Sequence, residues 1–413
     1  MCLPKCLLLV LITRFISTGA EINLENNACS SIEAYHVAQV SKKCYYNQDV
    51  LSDVPGMATR HGYKSETFTV TTSDGYILTI FRIISNITEP VKGPVFIQHG
   101  ILGTSASWVA IGNRSLAFYL ADRGYEVWLG NTRGSYYSNK HVSLSIDNPE
   151  YWDFDVDTIA SIDIPTQLKF VFSKTAEKIT YIGHSMGTSV IFMYVSSNVE
   201  AENYVKQILA LAPIAYINDV PILEFVRPLG SFLVNILDFG DVTGLFYHED
   251  AIHGLLTQIC KNTAPELCYI LIGLTSGKTL QFPPDDLLLY YSYWPGGISI
   301  YILKQYLQII QSKQFQKFDY GAQNNQLYGT KTPPIYNLSE ITLPTHLFYG
   351  ENDIFYRKEN IERLYDEIGS AKKTAFSVGA DEEMPFDHID FLFSENLIQF
   401  LYTQMSNILD GNK

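Results

Sequence analysis

The sequence has no basic cluster, no apolar run long enough to cross a bilayer, and few cysteines. It carries 29 Lys and Arg against 43 Asp and Glu, for a net charge of −14. A nucleic-acid binder needs a basic patch to displace counterions, and none is present. The acidic excess is repelled by phosphate backbones and anionic bilayers alike, so any lipid contact must be apolar. The longest early apolar run, Cys6 to Ile12, falls far short of the roughly 20 residues a spanning helix requires. Internal repeats and low-complexity tracts are also missing.

What is present suits a large core. The 413 residues are 46% hydrophobic and 13% aromatic, with 28 Tyr and 23 Phe, enough for one large domain or a domain with a subdomain. Lys5 precedes the early apolar run, and Thr18-Gly19-Ala20 follows it with small residues. Residues 1–20 therefore read as a secretory signal, whose loss removes Lys5 and Arg14 and leaves −16. Asn86, Asn113 and Asn337 open Asn-x-Ser/Thr triplets, which fits export and glycosylation. Cys29, Cys44, Cys260 and Cys268 remain beyond the signal. Of their three pairings, short spacing favours Cys29–Cys44 and Cys260–Cys268.

Along the chain, "ETFTVTTSDGYILTIFRI" alternates and turns at Asp74-Gly75, a hairpin pattern. Strand-like "PVFIQH", "YEVWLG", "KITYIGH" and "VKQILALAP" then alternate with the helical stretches "SLAFYLADRG", "DTIASIDIPTQLKFVFSK" and "GTSVIFMYVSS". The first of these helices closes at Gly124, and the second absorbs or bends at Pro165. The rhythm and the fully apolar strands predict an α/β fold with a mostly parallel sheet covered on both faces. From about Ala215 to Leu343 the rhythm breaks into a helix-leaning, aromatic stretch. It resumes with "PTHLFYGEND", the helix "KENIERLYDEIG", the strand "KTAFSV" and a last helix from about Ile389.

The chemistry centres on "YIGHSMG". A serine between Gly183 and Gly187, where a strand becomes a helix, sits on a strained turn that lifts its hydroxyl above the sheet edge. Ser185 is therefore the candidate nucleophile, and it needs a base oriented by an acid. In such a fold the partners follow in the order Ser, acid, His. His388, in "PFDHIDF" just past the last strand, fits the base. His184 is expected to point away from the serine, and His346 to lie in a strand core. Asp353, in "GENDIF" after the preceding strand, fits the acid. Glu351, Asp387 and Asp390 are rivals expected to be solvated or to cap helices. The oxyanion donors are expected from the amides of Met186, after the serine, and Ile101, in "HGIL". Two other motifs fail on spacing. "HEDAIH" places its histidines five apart instead of four, and "GLTSGKT" has three residues between glycines instead of four.

Taken in order, "SDGYIL", "QHGIL", "SLAFYLADRGYEVWLGNTRG", "YIGHSMG", "LALAP", "SKQFQKFDYG" and "DHIDF" resemble the signatures of the acid lipase family, which includes gastric and lysosomal acid lipases. The resemblance runs from about Tyr63 to Phe393. It implies an α/β-hydrolase core over residues 63–215 and 341–413, with a helical cap and lid over 216–340 and an N-terminal segment over 21–62. It implies hydrolysis of triacylglycerols or cholesteryl esters at a lipid–water interface, by a secreted or lysosomal monomer or homodimer, without metal or organic cofactor. Position by position, Ser185, Asp353 and His388 match the family triad, and Ile101 and Met186 its oxyanion donors. Cys260 and Cys268 match its cap disulfide, and Asn113 a glycosylated position. The chain departs from the pattern at Met186, where many members carry Gln, and in the Cys29/Cys44 pair. The rival expectations are a carboxylesterase for soluble esters and a non-catalytic lipid-binding member of the fold.

Overall fold

Tyr63–Thr71 (β1) and Tyr76–Ser85 (β2) form the expected antiparallel hairpin, closed at Gly75 with φ +99°. A side chain at Gly75 would meet the His141 ring at 2.6 Å, so the turn needs glycine for space as well as for its backbone. The computed structural model describes residues 25–86, 90, 92–221, 242–247, 249–277 and 281–411. The expected signal, 1–20, lies outside them, as do 222–241 of the expected lid.

Six further strands complete the sheet: Pro94–Gln98 (β3), Glu126–Gly130 (β4), Ile179–His184 (β5), Val205–Leu211 (β6), Thr345–Tyr349 (β7) and Lys373–Ser377 (β8). Their spatial order is β1-β2-β4-β3-β5-β6-β7-β8, and a two-residue strand at Lys140–His141 adds to β2. The sheet is parallel from β4 to β8 and antiparallel across β1, β2 and β4. Every residue of β3 and β5 is buried, as strands covered on both faces must be. Side-chain alternation divides the core in two. Val95 and Ile97 join one apolar cluster and Phe96 the other.

Leu116–Asp122 (α1) ends as expected before Gly124, where φ is +83°. The helix expected through Pro165 runs unbroken but changes period. A short α-turn at Val156–Thr158 widens into a π-helical turn at Ile159–Asp163 before Ile164–Thr175 (α2) begins. Pro165 thus falls in the first turn of α2, where its missing N–H leaves no gap in the ladder. Met186–Ser197 (α3) follows β5. Between β6 and β7 the described residues are mainly helical, chiefly Glu249–Gln258 (α4), Pro265–Ser276 (α5) and Ile300–Ser312 (α6). Lys358–Glu367 (α7) links β7 to β8. The last helix is broken into Asp390–Phe393, a π-helical Leu397–Tyr402 and Thr403–Leu409. The break falls at Ser394, whose hydroxyl donates to Gln281 (2.7 Å).

Both favoured disulfides form. Cys29–Cys44 spans the two-residue ladder of Ala28–Cys29 with Cys44–Tyr45, and Cys260–Cys268 ties α5 to the π-turn before it. Asn86, Asn113 and Asn337 are all exposed.

The chain leaves β3 toward β4 on one side, whereas β5 pairs with β3 on the other. Open α/β sheets bind ligands at such a switch point, beyond the carboxyl ends of the strands. The carboxyl ends here are Gln98 and His184. A Cβ on Gly183 would lie 2.6 Å from the Gly187 carbonyl oxygen, and one on Gly187 would lie 2.7 Å from that of Gln98. Both obstacles are backbone, so neither can swing aside. Gly187→Ala should therefore cost about 1–3 kcal/mol of stability, read as a lower Tm. An unchanged Tm would mean that helix and strands can separate without cost.

Candidate active site

Ser185 occupies the turn between β5 and α3 with φ 53° and ψ −119°. A side-chain-bearing residue in that region is strained, and the neighbours hold it there. Its amide donates to the Leu211 carbonyl (3.0 Å), and its carbonyl accepts from the Thr188 amide (2.8 Å). The side chain is nearly buried, at the floor of a cavity of about 610 Å³.

Asp353 and His388 come from the loops after β7 and β8. His388 Nδ1 donates to Asp353 Oδ2 at 2.7 Å, with both side chains almost fully buried. This bond commits the Nδ1 proton to the carboxylate, leaving Nε2 as the proton acceptor, and His388 and Ser185 line the same cavity. The other carboxylate oxygen, Oδ1, accepts from the Phe355 amide (2.8 Å), which fixes the acid's orientation. The Phe355 ring stands edge-on to His388 at 4.9 Å.

Two further histidines shape the surroundings. His184 does not point away from the site as expected. Its Nε2–H donates to the His388 carbonyl (2.9 Å), and its ring lies 4.8 Å from that of His388. Burial, and next the proximity of His388, hold His184 well below the usual imidazole range, so it stays neutral. His99 is pushed down to about 4 by burial. Its Nδ1–H donates to the Gly100 carbonyl (2.8 Å), and its Nε2 accepts from the Thr132 amide (3.2 Å). A neutral ring with one donor and one acceptor fits both bonds and pins the loop after β3.

That loop turns tightly, with Leu102 at φ 59° and the Gly103 amide donating to the Gly100 carbonyl (3.2 Å). A Cβ on Gly100 would come within 2.9 Å of the Ser185 Cβ, so loop and serine touch. Among the described residues, neither the Ile101 nor the Met186 amide donates to another main-chain carbonyl. Both are therefore available beside Ser185.

The rivals for the acid resolve unequally. Glu351 is exposed and accepts from Ser377 (2.8 Å). Asp387 and Asp390 are not solvated but fully buried. Asp387 Oδ1 accepts from the Ile389 and Asp390 amides (both 2.9 Å), capping the short helix, and Asp390 Oδ2 accepts from the Asp387 amide (2.9 Å). Burial, and next the Asp387 charge, push the Asp390 carboxyl well above the ordinary range. Its Oδ1 has no partner, as suits a protonated group. His346 lies half-buried in β7 and bonds Thr374 (2.8 Å).

Sequence reasoning missed the cavity walls. They are formed by Trp108, Leu274, Tyr290, Leu303 and Phe393, whose chain separation conceals that they converge. A second cavity of about 580 Å³, bordered by Asp53, His253 and Thr257, contains none of Ser185, Asp353 or His388. Among the described residues no group of His, Cys, Asp or Glu is placed to hold a metal. His253 of the "HEDAIH" motif donates to the Pro295 carbonyl (3.0 Å), and His248 lies outside the described residues.

Comparisons with known proteins bear on the family and the fold. Residues 54–112 match the model of a partial alpha/beta-hydrolase lipase region, and residues 93–230 that of the alpha/beta hydrolase fold. The chain is 32% identical to human lipase member K over 383 residues, 88% of this chain and 92% of that protein. It is 32% identical to gastric triacylglycerol lipase of Bos taurus (89% and 93% covered). It is also 32% identical to lysosomal acid lipase/cholesteryl ester hydrolase of Macaca fascicularis (88% and 92%). A putative lipase from Sulfolobus solfataricus shares the fold, with TM-score 0.55, 13% identity and coverage of 85% and 95%. With a buried Ser, His and Asp constellation on this sheet and relatives matched over nearly their whole length, the chain belongs to the acid lipase family of α/β-hydrolases.

Proposed function

We propose that the protein is an acid-type lipase that cleaves the ester bonds of triacylglycerols or cholesteryl esters through an acyl-enzyme. The observation that carries this reading is the 2.7 Å bond between His388 and Asp353, in an apolar cavity that also contains Ser185. Ser185 Oγ attacks the ester carbonyl carbon while His388 Nε2 takes its proton, and Asp353 stabilises the resulting imidazolium. The oxyanion forms against the Ile101 and Met186 amides, each worth about 10²–10³ in rate. His388 returns the proton to the departing alcohol. It then deprotonates a water that attacks the acyl-enzyme and releases the fatty acid.

The names of the gastric and lysosomal relatives support the substrate class, and the apolar cavity walls suit acyl chains. Residues 216–340 would act as cap and lid over a core of 63–215 and 341–413, with 21–62 as a flanking segment. Two disulfides favour an oxidising environment, consistent with a secreted or lysosomal enzyme glycosylated at Asn86, Asn113 and Asn337. The Met186 side chain changes the polarity beside the oxyanion site without removing its amide.

Asp390 adds a link to acid conditions. A carboxyl whose folded-state affinity for its proton is raised stabilises the fold while protonated, and that contribution is lost as pH climbs through its folded value. Whatever Tm the wild type loses as pH rises above the ordinary carboxylate range, Asp390→Asn should lose less. Equal losses in both proteins would refute the assignment.

The function itself is tested by fatty-acid release from emulsified long-chain triacylglycerol and from a soluble short-chain ester, each at about pH 5 and about pH 7.5. Release from the emulsion, greatest in acid, is expected. Ser185→Ala should lower turnover by about 10⁶. Asp353→Asn, which leaves the geometry but misorients the imidazole, should lower it by about 10⁴. Hydrolysis of the soluble ester alone would instead identify a carboxylesterase. Undiminished turnover in Ser185→Ala would remove the nucleophile assignment.

A further inference from the structure

The last turn of α5 touches both loops that carry the triad partners of Ser185. The Ser276 carbonyl accepts from the Ile354 amide (2.9 Å) and from the His388 amide (3.0 Å). One oxygen therefore uses both lone pairs to join the residue after the acid to the base itself. Gly277 pairs with Asp353 as an isolated antiparallel bridge, at φ +126°. A Cβ there would stand 2.0 Å from the Asn352 carbonyl oxygen and 3.1 Å from the Ile354 amide. The Ser276 hydroxyl donates to the Ile272 carbonyl (2.6 Å) and reaches Asp387 Oδ2 (3.3 Å), beside the base.

A carbonyl in the last turn of a helix lacks an intrahelical partner and sits at the negative end of the helix dipole. Here that end meets the residue that becomes cationic when it takes the serine proton. The loops after β7 and β8 also bond each other, through the Asn352 amide to the Phe386 carbonyl (3.2 Å) and Asn352 Nδ2 to the Pro385 carbonyl (2.9 Å), and the Ser276 carbonyl adds the link that reaches Ile354 and His388 themselves. The titratable groups around the His388 ring and backbone are Asp353, His184, Asp387 and Asp390.

We infer that the Ser276–Gly277 turn is a positioning element for catalysis: the Ser276 carbonyl sets the relative placement of Asp353 and His388, and Gly277 is required to bring it there. This rests on the proposed hydrolase mechanism. That mechanism is checked first and separately, by wild-type turnover of a soluble short-chain ester and by stoichiometric labelling of Ser185 with an organophosphonate.

The test compares Gly277→Ala with Gly254→Ala. Gly254 lies in α4 with nothing within 4 Å of an added Cβ, which makes it a neutral control. On the soluble ester, Gly277→Ala should lower kcat by about 10²-fold with KM little changed, as small misplacements of catalytic groups do. The downfield proton resonance of the His388–Asp353 bond should shift or vanish in Gly277→Ala and persist in Gly254→Ala. Wild-type kcat in Gly277→Ala would overturn the inference. So would a fall in kcat with the resonance unmoved, because that pattern signals general damage. Should Gly277→Ala not fold, amide exchange on the unaltered protein decides. The Ile354 and His388 amides should be protected together with the end of α5. Fast exchange of both, with α5 still protected, would overturn the clamp.

Discussion

The site depends on a contact between backbones. Strand β5, helix α3 and the end of strand β3 approach so closely at Gly183 and Gly187 that an added methyl would come within 2.6–2.7 Å of a carbonyl oxygen. That approach forces the turn between them into a left-handed conformation, and Ser185 occupies it. The strain on the serine is thus a by-product of packing, held by every contact that keeps helix against sheet. The loop after β3 leans on the same point, since Gly100 lies against Ser185. Ser185 and the loop after β3, the proposed nucleophile and oxyanion loop, are accordingly set by one piece of rigid geometry.

Much of this was legible in the sequence because it rests on local rules. The fully apolar strands, the hairpin at Gly75 and the elbow glycines each express a backbone or burial requirement that only a few residue types meet. Asp353 and His388 were found from their places after consecutive strands, and the structure brings them together. Less legible was anything decided by tertiary contact. His184 seemed by position to face away, yet its ring bonds the backbone of His388. Asp387 and Asp390 look like ordinary acids next to a histidine and are fully buried. The π-turn at Ile159–Asp163 could be foreseen as a bend at Pro165 but not as a change of helical period. The "GLTSGKT" stretch fails the spacing of a phosphate loop. Its Ser276 and Gly277 matter through contacts with residues far along the chain, and no spacing rule reports those.

Electrostatically, the site keeps its charge changes in one place. His99 and His184 are held neutral by burial; His99 bonds backbone groups through both ring nitrogens and His184 through Nε2, so in the proposed mechanism neither competes with His388 for a proton. The acid is fixed through both carboxylate oxygens, by the base and by the Phe355 amide. In the proposed mechanism these two neutral rings and the doubly anchored acid are already in place before a proton moves from serine to imidazole. This is the preorganisation on which catalysis by fixed dipoles depends.

The placement of β7 and β8 at the edge of the sheet beyond β6 also bears on biosynthesis. A ribosome delivers Ser185 and the oxyanion loop well before it delivers Asp353 and His388. Under the proposed mechanism, until the final strands add to that open edge the emerging chain holds Ser185 without its proposed base and acid. Under that mechanism, esterolytic power arrives only with the completed sheet.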